Sequence, residues 1–324
     1  MLSQRHWCCP ARAAKRATSY SRSSPSTIAC PVGRRQNRLR TSSVSCIPEN
    51  LSSYRAARAG NGGGVVPTPR RIDQLWRLAA TGFAFAALGL GGFVIAVLVV
   101  PPVTWPLADR RAREQRAQSI IRASFRLYVA MLRGLGVLRL EVVGAGRLSS
   151  CRGHLVIANH PTLLDVVLIM ALLPHAQCVV KHQLWRHPLL GPLMRVAGYI
   201  RNDQEPEAFI ADCRAALQAG NNLIIFPEGT RSVPGQRPRF QRGFAHIATL
   251  TGADLQIVTI TCEPITLVKG QPWYVIPDRP PTFRIEIGEL LRTQPFLDTP
   301  SRARGARRLV SHLESHYVGK VNHG

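Results

Sequence analysis

The chain has 324 residues, 45% of them hydrophobic, and a formal net charge of +24, which admits one large domain with appendages or two modest ones. The charge is uneven: residues 1–70 hold 12 Lys and Arg against Glu49 alone, whereas residues 151–324 hold 19 against 13 acids. Basic flanks outside the folded part suit an anionic membrane surface, and without interleaved aromatics they do not read as a nucleic-acid interface.

Residues 1–70 are rich in Arg, Ser and Gly and show no hydrophobic periodicity. They fit a disordered basic tail, an organelle presequence or a start site placed too far upstream, and lack the continuous apolar core of a secretory signal. Leu78 to Val100 is an uncharged run of 23 residues bracketed by Trp76 and Trp105. As a helix it would extend roughly 35 Å, enough for a hydrocarbon core of about 30 Å. Gly82, Gly89, Gly91, Gly92 and Pro101-Pro102 also allow a bent or re-entrant form. Arginines on both sides leave its orientation unset by charge. From Leu107 to Leu135 the pattern is amphipathic, with Ile121, Phe125, Tyr128 and Leu132 opposite Arg111, Arg122 and Arg126. That helix belongs at a membrane interface, against the domain, or both.

Strands alternating with helices then argue an α/β domain over residues 136–320. Val137–Val143, Leu155–Ala158, Gln177–Val180, a strand end at Gly198–Asp203, Leu223–Phe226 and Gln256–Thr261 read as strands, as do Trp273–Ile276 and Phe283–Ile287. Helices are expected at Val166–Leu173, at 182–197 despite Pro188 and Pro192, at Glu207–Ala219, at Gly243–Leu250 and at Ser301–Tyr317. The resulting division is a basic tail over 1–70, a membrane segment with an amphipathic helix over 71–135, and a catalytic-type domain over 136–320. Eight scattered cysteines without a CxxC pair fit a reducing compartment and no structural zinc.

Two stretches carry chemistry. In Asn159-His160-Pro161-Thr162-Leu163-Leu164-Asp165, a histidine and an aspartate stand where a buried strand turns into a helix, a place for a base and its orienting acid. The same residues also fit a capped helix start, with Asn159 or His160 as cap and Pro161 at the first helical position. Positions five apart on a regular helix differ by about 140°, so His160 must lie outside the helix if it is to meet Asp165. The second stretch, Phe226-Pro227-Glu228-Gly229-Thr230-Arg231-Ser232, follows another apolar strand. Gly229 permits close backbone approach, Thr230 and Ser232 offer hydroxyls, and Arg231 offers a planar fork suited to phosphate. Glu228 can accept from a hydroxyl or hold an arginine. Arg201-Asn202 and Arg242-Gly243 also fall at element ends, and arginines at such edges suggest a phosphate-bearing substrate.

NHPTLLD followed about 60 residues later by FPEGTRS resembles the paired signature blocks of the glycerolipid acyltransferase family, whose best-known members acylate lysophosphatidic acid. The resemblance covers residues 136–290 and implies a sheet flanked by helices with an N-terminal membrane-associated helical segment. It implies acyl transfer from acyl-CoA or acyl-carrier protein, as donor substrate rather than cofactor, to the free hydroxyl of a 1-acylglycerol-3-phosphate. His160 would be the general base and Asp165 its partner; Glu228, Gly229, Thr230 and Arg231, assisted by Arg201, would bind the glycerol phosphate, with no metal. The expected setting is a membrane, with the catalytic domain on its cytoplasmic face and membrane lipids as partners. Thr162 replaces the family's usual serine, Gly198-Tyr199-Ile200-Arg201 departs from the usual third block, and Val258-Thr259-Ile260 lacks the usual proline of the fourth. Other readings are an acyltransferase for another lysolipid or specialised lipid, a non-catalytic lipid-binding or scaffolding protein, and a hydrolase using His160 and Asp165 as metal ligands, for which no further ligands are evident.

Overall fold

Leu155–Ala158 has no polar face, and all four side chains are buried. A strand of this kind must be covered on both sides, the condition of a parallel sheet inside an α/β layer structure. The computed structural model meets that condition. It describes residues 68–321 other than Leu189 and Pro234, so the expected basic tail lies outside the described residues except for its last three. The chain divides after Gly64, and every described residue belongs to the second unit.

The elements run as helix α1 (Thr68–Val94), a π turn (Ile95–Val99), α2 (Val100–Thr104), α3 (Arg110–Gly134), β1 (Arg139–Val143), α4 (Ala145–Ser149), β2 (Leu155–Ala158), α5 (Asp165–Leu172) and β3 (Ala176–Val180). They continue as α6 (His182–Trp185), α7 (Leu190–Val196), β4 (Ile200–Arg201), α8 (Pro206–Gln218), β5 (Asn222–Ile225), α9 (Gly243–Thr251), β6 (Leu255–Glu263), β7 (Thr282–Leu291), α10 (Gln294–Leu297) and α11 (Arg302–Val321). The strands form one sheet of order β1-β7-β6-β2-β5-β3-β4. Every neighbouring pair is parallel except β6 with β7. Strands β6, β2, β5, β3 and β4 therefore end on one edge. In sheets of this type, ligands bind beyond the carboxyl ends of the strands.

Alternate residues of the central strands face two cores. Val156 and Ala158 join Ile224, Val258 and Ile260 beneath α1, α3 and α5, while Leu155 and Ile157 join Leu223 and Leu255 beneath α8, α9 and α11. The amphipathic helix α3 lays Ile121, Tyr128, Val129 and Leu132 into the first core and packs on α5. It is thus a packing helix of the domain, and the 71–135 segment shares its core with the sheet.

The run Ile72–Thr104 is long and apolar enough to cross a membrane, and little of it is buried. Ala80 and Ala84 face the domain, whereas Ile72, Phe83, Leu90 and Phe93 are exposed. One end is tied down by Trp76 Nε1, which donates to the carbonyl of Leu135, and the other by burial of Val100 and Thr104. Pro101 and Pro102 do not end the helix. The helical path runs through both prolines by way of the π turn, with Val99 and Val100 both in helical backbone conformation.

Three expectations need correction. Trp273–Ile276 holds a turn and no strand; its alternation of apolar and polar residues is absent, and Pro272 and Pro277 bound it. The helical segment at 182–197 is two short helices interrupted around Pro188. The helix after β2 begins at Asp165, not at Pro161, and neither Asn159 nor His160 caps it.

His154 and His175 are half-buried, and both have pKa values below the ordinary imidazole value, chiefly through desolvation. The Arg152, Arg122 and Arg111 charges add to the effect at His175. At His154, Asp254 opposes it and Arg292 adds to it. The unfolded chain therefore binds more protons once the pH falls through about 6.5. The contribution of these two histidines to stability should be level from neutrality to mildly alkaline pH and decline below about pH 6.5. Thermal unfolding across that range should show a flatter profile for the His154→Gln, His175→Asn double variant, since Asn tolerates the positive φ of 48° at position 175.

Candidate active site

β2 ends at Ala158, and the side chain of Asn159 stitches that end to β6: its Nδ2 donates to the carbonyl of Ile260 (2.8 Å) and its Oδ1 accepts from the same residue's N–H (2.7 Å). This fixes where the chain leaves the sheet. His160 follows, and residues 161–164 form an irregular turn before α5 starts at Asp165.

The turn closes on itself through Asp165, which has no exposed surface. Oδ2 accepts from Thr162 N–H (2.7 Å) and faces His160 Nδ1 at 2.8 Å, while Oδ1 accepts from Thr162 Oγ1 (2.6 Å). A carboxylate in this position accepts a hydrogen bond from Nδ1–H, and that tautomer carries its lone pair on Nε2. No group among the described residues hydrogen-bonds Nε2. The ring is stacked on Phe226, with centroids 4.3 Å apart and planes tilted by 30°.

Phe226 leads from β5 into the second stretch, which grips the backbone of His160 from both sides. Glu228 Oε1 accepts from His160 N–H (3.0 Å) and from Ser232 Oγ (2.8 Å), and Ser232 N–H donates to the His160 carbonyl (2.7 Å). Gly229 turns the chain with φ +68°, and a Cβ there would collide with the side-chain amide of Gln241. Gly229 and Thr230 are exposed on this turn. Arg231 is half-buried, and its Nη1 donates to the carbonyls of Leu267 (2.9 Å) and Val268 (3.0 Å).

The structure thus joins His160, Asp165 and Glu228 by direct hydrogen bonds and sets Gly229, Thr230 and Arg231 on the adjoining turn. Arg201 lies on the same sheet edge but at the end of β4, three strands from β2, roughly 14 Å at ordinary strand spacing. Its guanidinium is engaged by Asp203 at 3.4 Å. Thr162 and Asn159 belong to the site too, and the sequence signal for both was their place inside the NHPTLLD stretch. Among the described residues no three His, Cys, Asp or Glu side chains gather as a metal site.

Residues 139–263, which span all of these groups, match the family model described as Acyltransferase. This region is similar to acyltransferase-family domains. Relatives support that placement. A 1-acyl-sn-glycerol-3-phosphate acyltransferase of Cocos nucifera is 38% identical over 112 residues, covering 32% of this chain and 36% of that protein. The corresponding protein of Limnanthes alba is 37% identical over 35% of this chain and 43% of its own length. The alpha form from Ovis aries is 27% identical over 64% of this chain and 70% of its own. The chain thus spans less than half the length of the first two. The chain also shares its fold with the crystal structure of the 1-acyl-sn-glycerophosphate (LPA) acyltransferase, PlsC, from Thermotoga maritima. That match has a TM-score of 0.56 and 21% identity, and covers 76% of this chain and 97% of the other.

The double use of Glu228 is testable. Glu228→Ala strips a half-buried N–H of its acceptor and should destabilise the domain by about 1–3 kcal/mol, with a loss of activity. Glu228→Gln keeps an amide oxygen for the same two donors and should retain most of the stability in a denaturant titration.

Proposed function

We propose that the protein moves a fatty acyl group from a thioester donor, acyl-CoA or acyl-carrier protein, to the free hydroxyl of a 1-acylglycerol-3-phosphate at a membrane. The observation that carries this reading is the His160 Nδ1–Asp165 hydrogen bond, which leaves Nε2 open at the edge where the phosphate-suited turn also ends. The acceptor hydroxyl gives its proton to Nε2 as its oxygen attacks the thioester carbonyl. Asp165 holds the tautomer and stabilises the imidazolium that forms. Collapse of the tetrahedral adduct breaks the carbon–sulfur bond, and the imidazolium proton passes to the departing thiolate. The acyl group goes directly from donor to acceptor, so no covalent acyl-enzyme and no further cofactor enter the scheme.

The acceptor's phosphate belongs with the exposed backbone and hydroxyl of Gly229 and Thr230 and with the N–H groups that Arg231 does not spend on Leu267 and Val268. Glu228, an acceptor, serves better as the clamp on His160 than as a phosphate ligand. The exposed apolar side of α1 attaches the domain to the bilayer that holds the substrates, with the catalytic domain on the cytoplasmic side.

In membranes from an expressing cell, thiol release from acyl-CoA with lysophosphatidic acid should fall by about 10²–10⁴-fold in His160→Ala. Unchanged activity would remove His160 from the chemistry. Arg231→Ala should cost about 1.5–3 kcal/mol of binding to a phosphate-bearing acceptor, a ten- to hundredfold rise in KM, and much less for a neutral monoacylglycerol. Equal effects on both acceptors would refute phosphate recognition at Arg231.

A further inference from the structure

The loop between β6 and β7, residues 264–281, exposes Ile265, Trp273, Tyr274 and Val275. Large apolar side chains clustered on a loop rather than scattered need a partner. Their position says which. Trp273 lies against α1: its ring is 6.0 Å from that of Phe85, and its edge would be 3.3 Å from a Cβ on Gly82. Gly82 and Phe85 are half-buried, at the border between the domain-facing side of α1 and the exposed side that carries Phe83 and Leu90. The loop tip therefore extends the exposed apolar surface of α1 without a break.

The stem of the loop is pinned to the same helix by polar contacts. Arg77, almost wholly buried, donates from Nη1 to the carbonyl of Pro277 (2.7 Å) and from Nη2 to that of Asp278 (2.8 Å), and its Nε is held by Asp73 (2.9 Å). Gln74 reaches Asp278 as well. Charged and amide groups thus hold the loop near the start of α1. Its aromatic tip lies five to eight residues further along, about 8–12 Å at the helical rise, where the helix is apolar. Trp and Tyr in such a place match the aromatic belt of a membrane surface, with an apolar body and a polar handle.

At its other end the loop reaches the active site. Leu267 holds a left-handed backbone (φ +53°), uncommon for a branched side chain. Its carbonyl accepts from Leu163 N–H in the catalytic turn and from Arg231. We propose that residues 264–281 form a second membrane-contact element, which seats Trp273, Tyr274 and Val275 in the lipid surface beside α1 and ties that surface to Arg231 and the catalytic turn. The occupant is a lipid bilayer, on the grounds of continuity with the apolar face of α1. The inference rests on the membrane attachment in the proposed function.

The test uses the full chain reconstituted in vesicles of phosphatidylglycerol and phosphatidylcholine, with bromine on the acyl chains of the phosphatidylcholine as a contact quencher of tryptophan. Emission lost on Trp273→Phe should be emission that brominated lipid quenches, and Tyr274→Trp in that background should add a newly quenched component. Vesicle flotation without quenching at either position would overturn the loop's role while leaving attachment through α1 in place. Failure to float would overturn both. In kinetics, Trp273→Ser with Tyr274→Ser should raise KM several-fold for an acceptor presented in a bilayer and leave KM unchanged for a short-chain acceptor below its critical micelle concentration. Parallel loss with both acceptors would mean a structural role only.

Discussion

A fully buried carboxylate sets the conditions that the rest of the site satisfies. Asp165 has left water entirely, and a group so placed is costly unless donors surround it. The chain supplies them locally: the N–H and hydroxyl of Thr162 from one side and the ring of His160 from the other. Meeting that demand forces residues 161–164 into an irregular turn and delays α5 to Asp165. It also fixes which imidazole nitrogen, Nε2, stands outside the hydrogen bond to Asp165. The hydroxyl at position 162 is therefore structural in the strict sense, which explains why a threonine serves where the family more often has serine.

The sheet provides the frame in which this turn is held still. β2 and β5 are neighbours in register, Ile157 beside Ile225, so the two strand ends emerge side by side. The polar groups that follow them meet across that gap, Glu228 and Ser232 on either side of the His160 backbone. On the far side of β2, Asn159 fastens the same strand end to β6. From the opposite core, Tyr317 of α11 donates its buried hydroxyl to the carbonyls of Ile157 and Val258, bridging β2 and β6. Burial raises the pKa of that phenol, which keeps it a donor. His160 is thus positioned through its main chain by three strands and through its ring by Asp165 and Phe226.

Much of this was legible beforehand, and the boundary has a physical cause. Uninterrupted apolar runs such as Leu155–Ala158 and Leu223–Ile225 announce strands buried on both faces, and their alternation with periodic helices announces the layer structure. His160 and Asp165 were legible as a candidate pair from their place at a strand-to-helix junction and from the resemblance of the two blocks; their spacing required only that His160 stand outside the helix. What local pattern does not encode is the partner of a backbone group: nothing in FPEGTRS shows that Glu228 accepts from His160 N–H, or that Arg231 reaches the carbonyls of Leu267 and Val268. Trp273–Ile276 misled for a related reason. Bulky β-formers made it resemble a strand, but no neighbouring strand edge pairs with them.

Arg231 shows how two demands meet in one side chain. Spending a single nitrogen, Nη1, on two carbonyls fixes the plane of the guanidinium while leaving the other N–H groups of the fork for a ligand. Under the proposed function a phosphate would meet a cation already oriented, with little side-chain entropy left to lose on binding. The same two carbonyls belong to a loop whose other end lies on α1. Any displacement of that loop would therefore tilt the fork. A lysine, with a flexible stem and a point charge, could supply the charge but not this transmission of geometry, so a planar cation at position 231 follows from the loop contact as well as from the chemistry of the ligand.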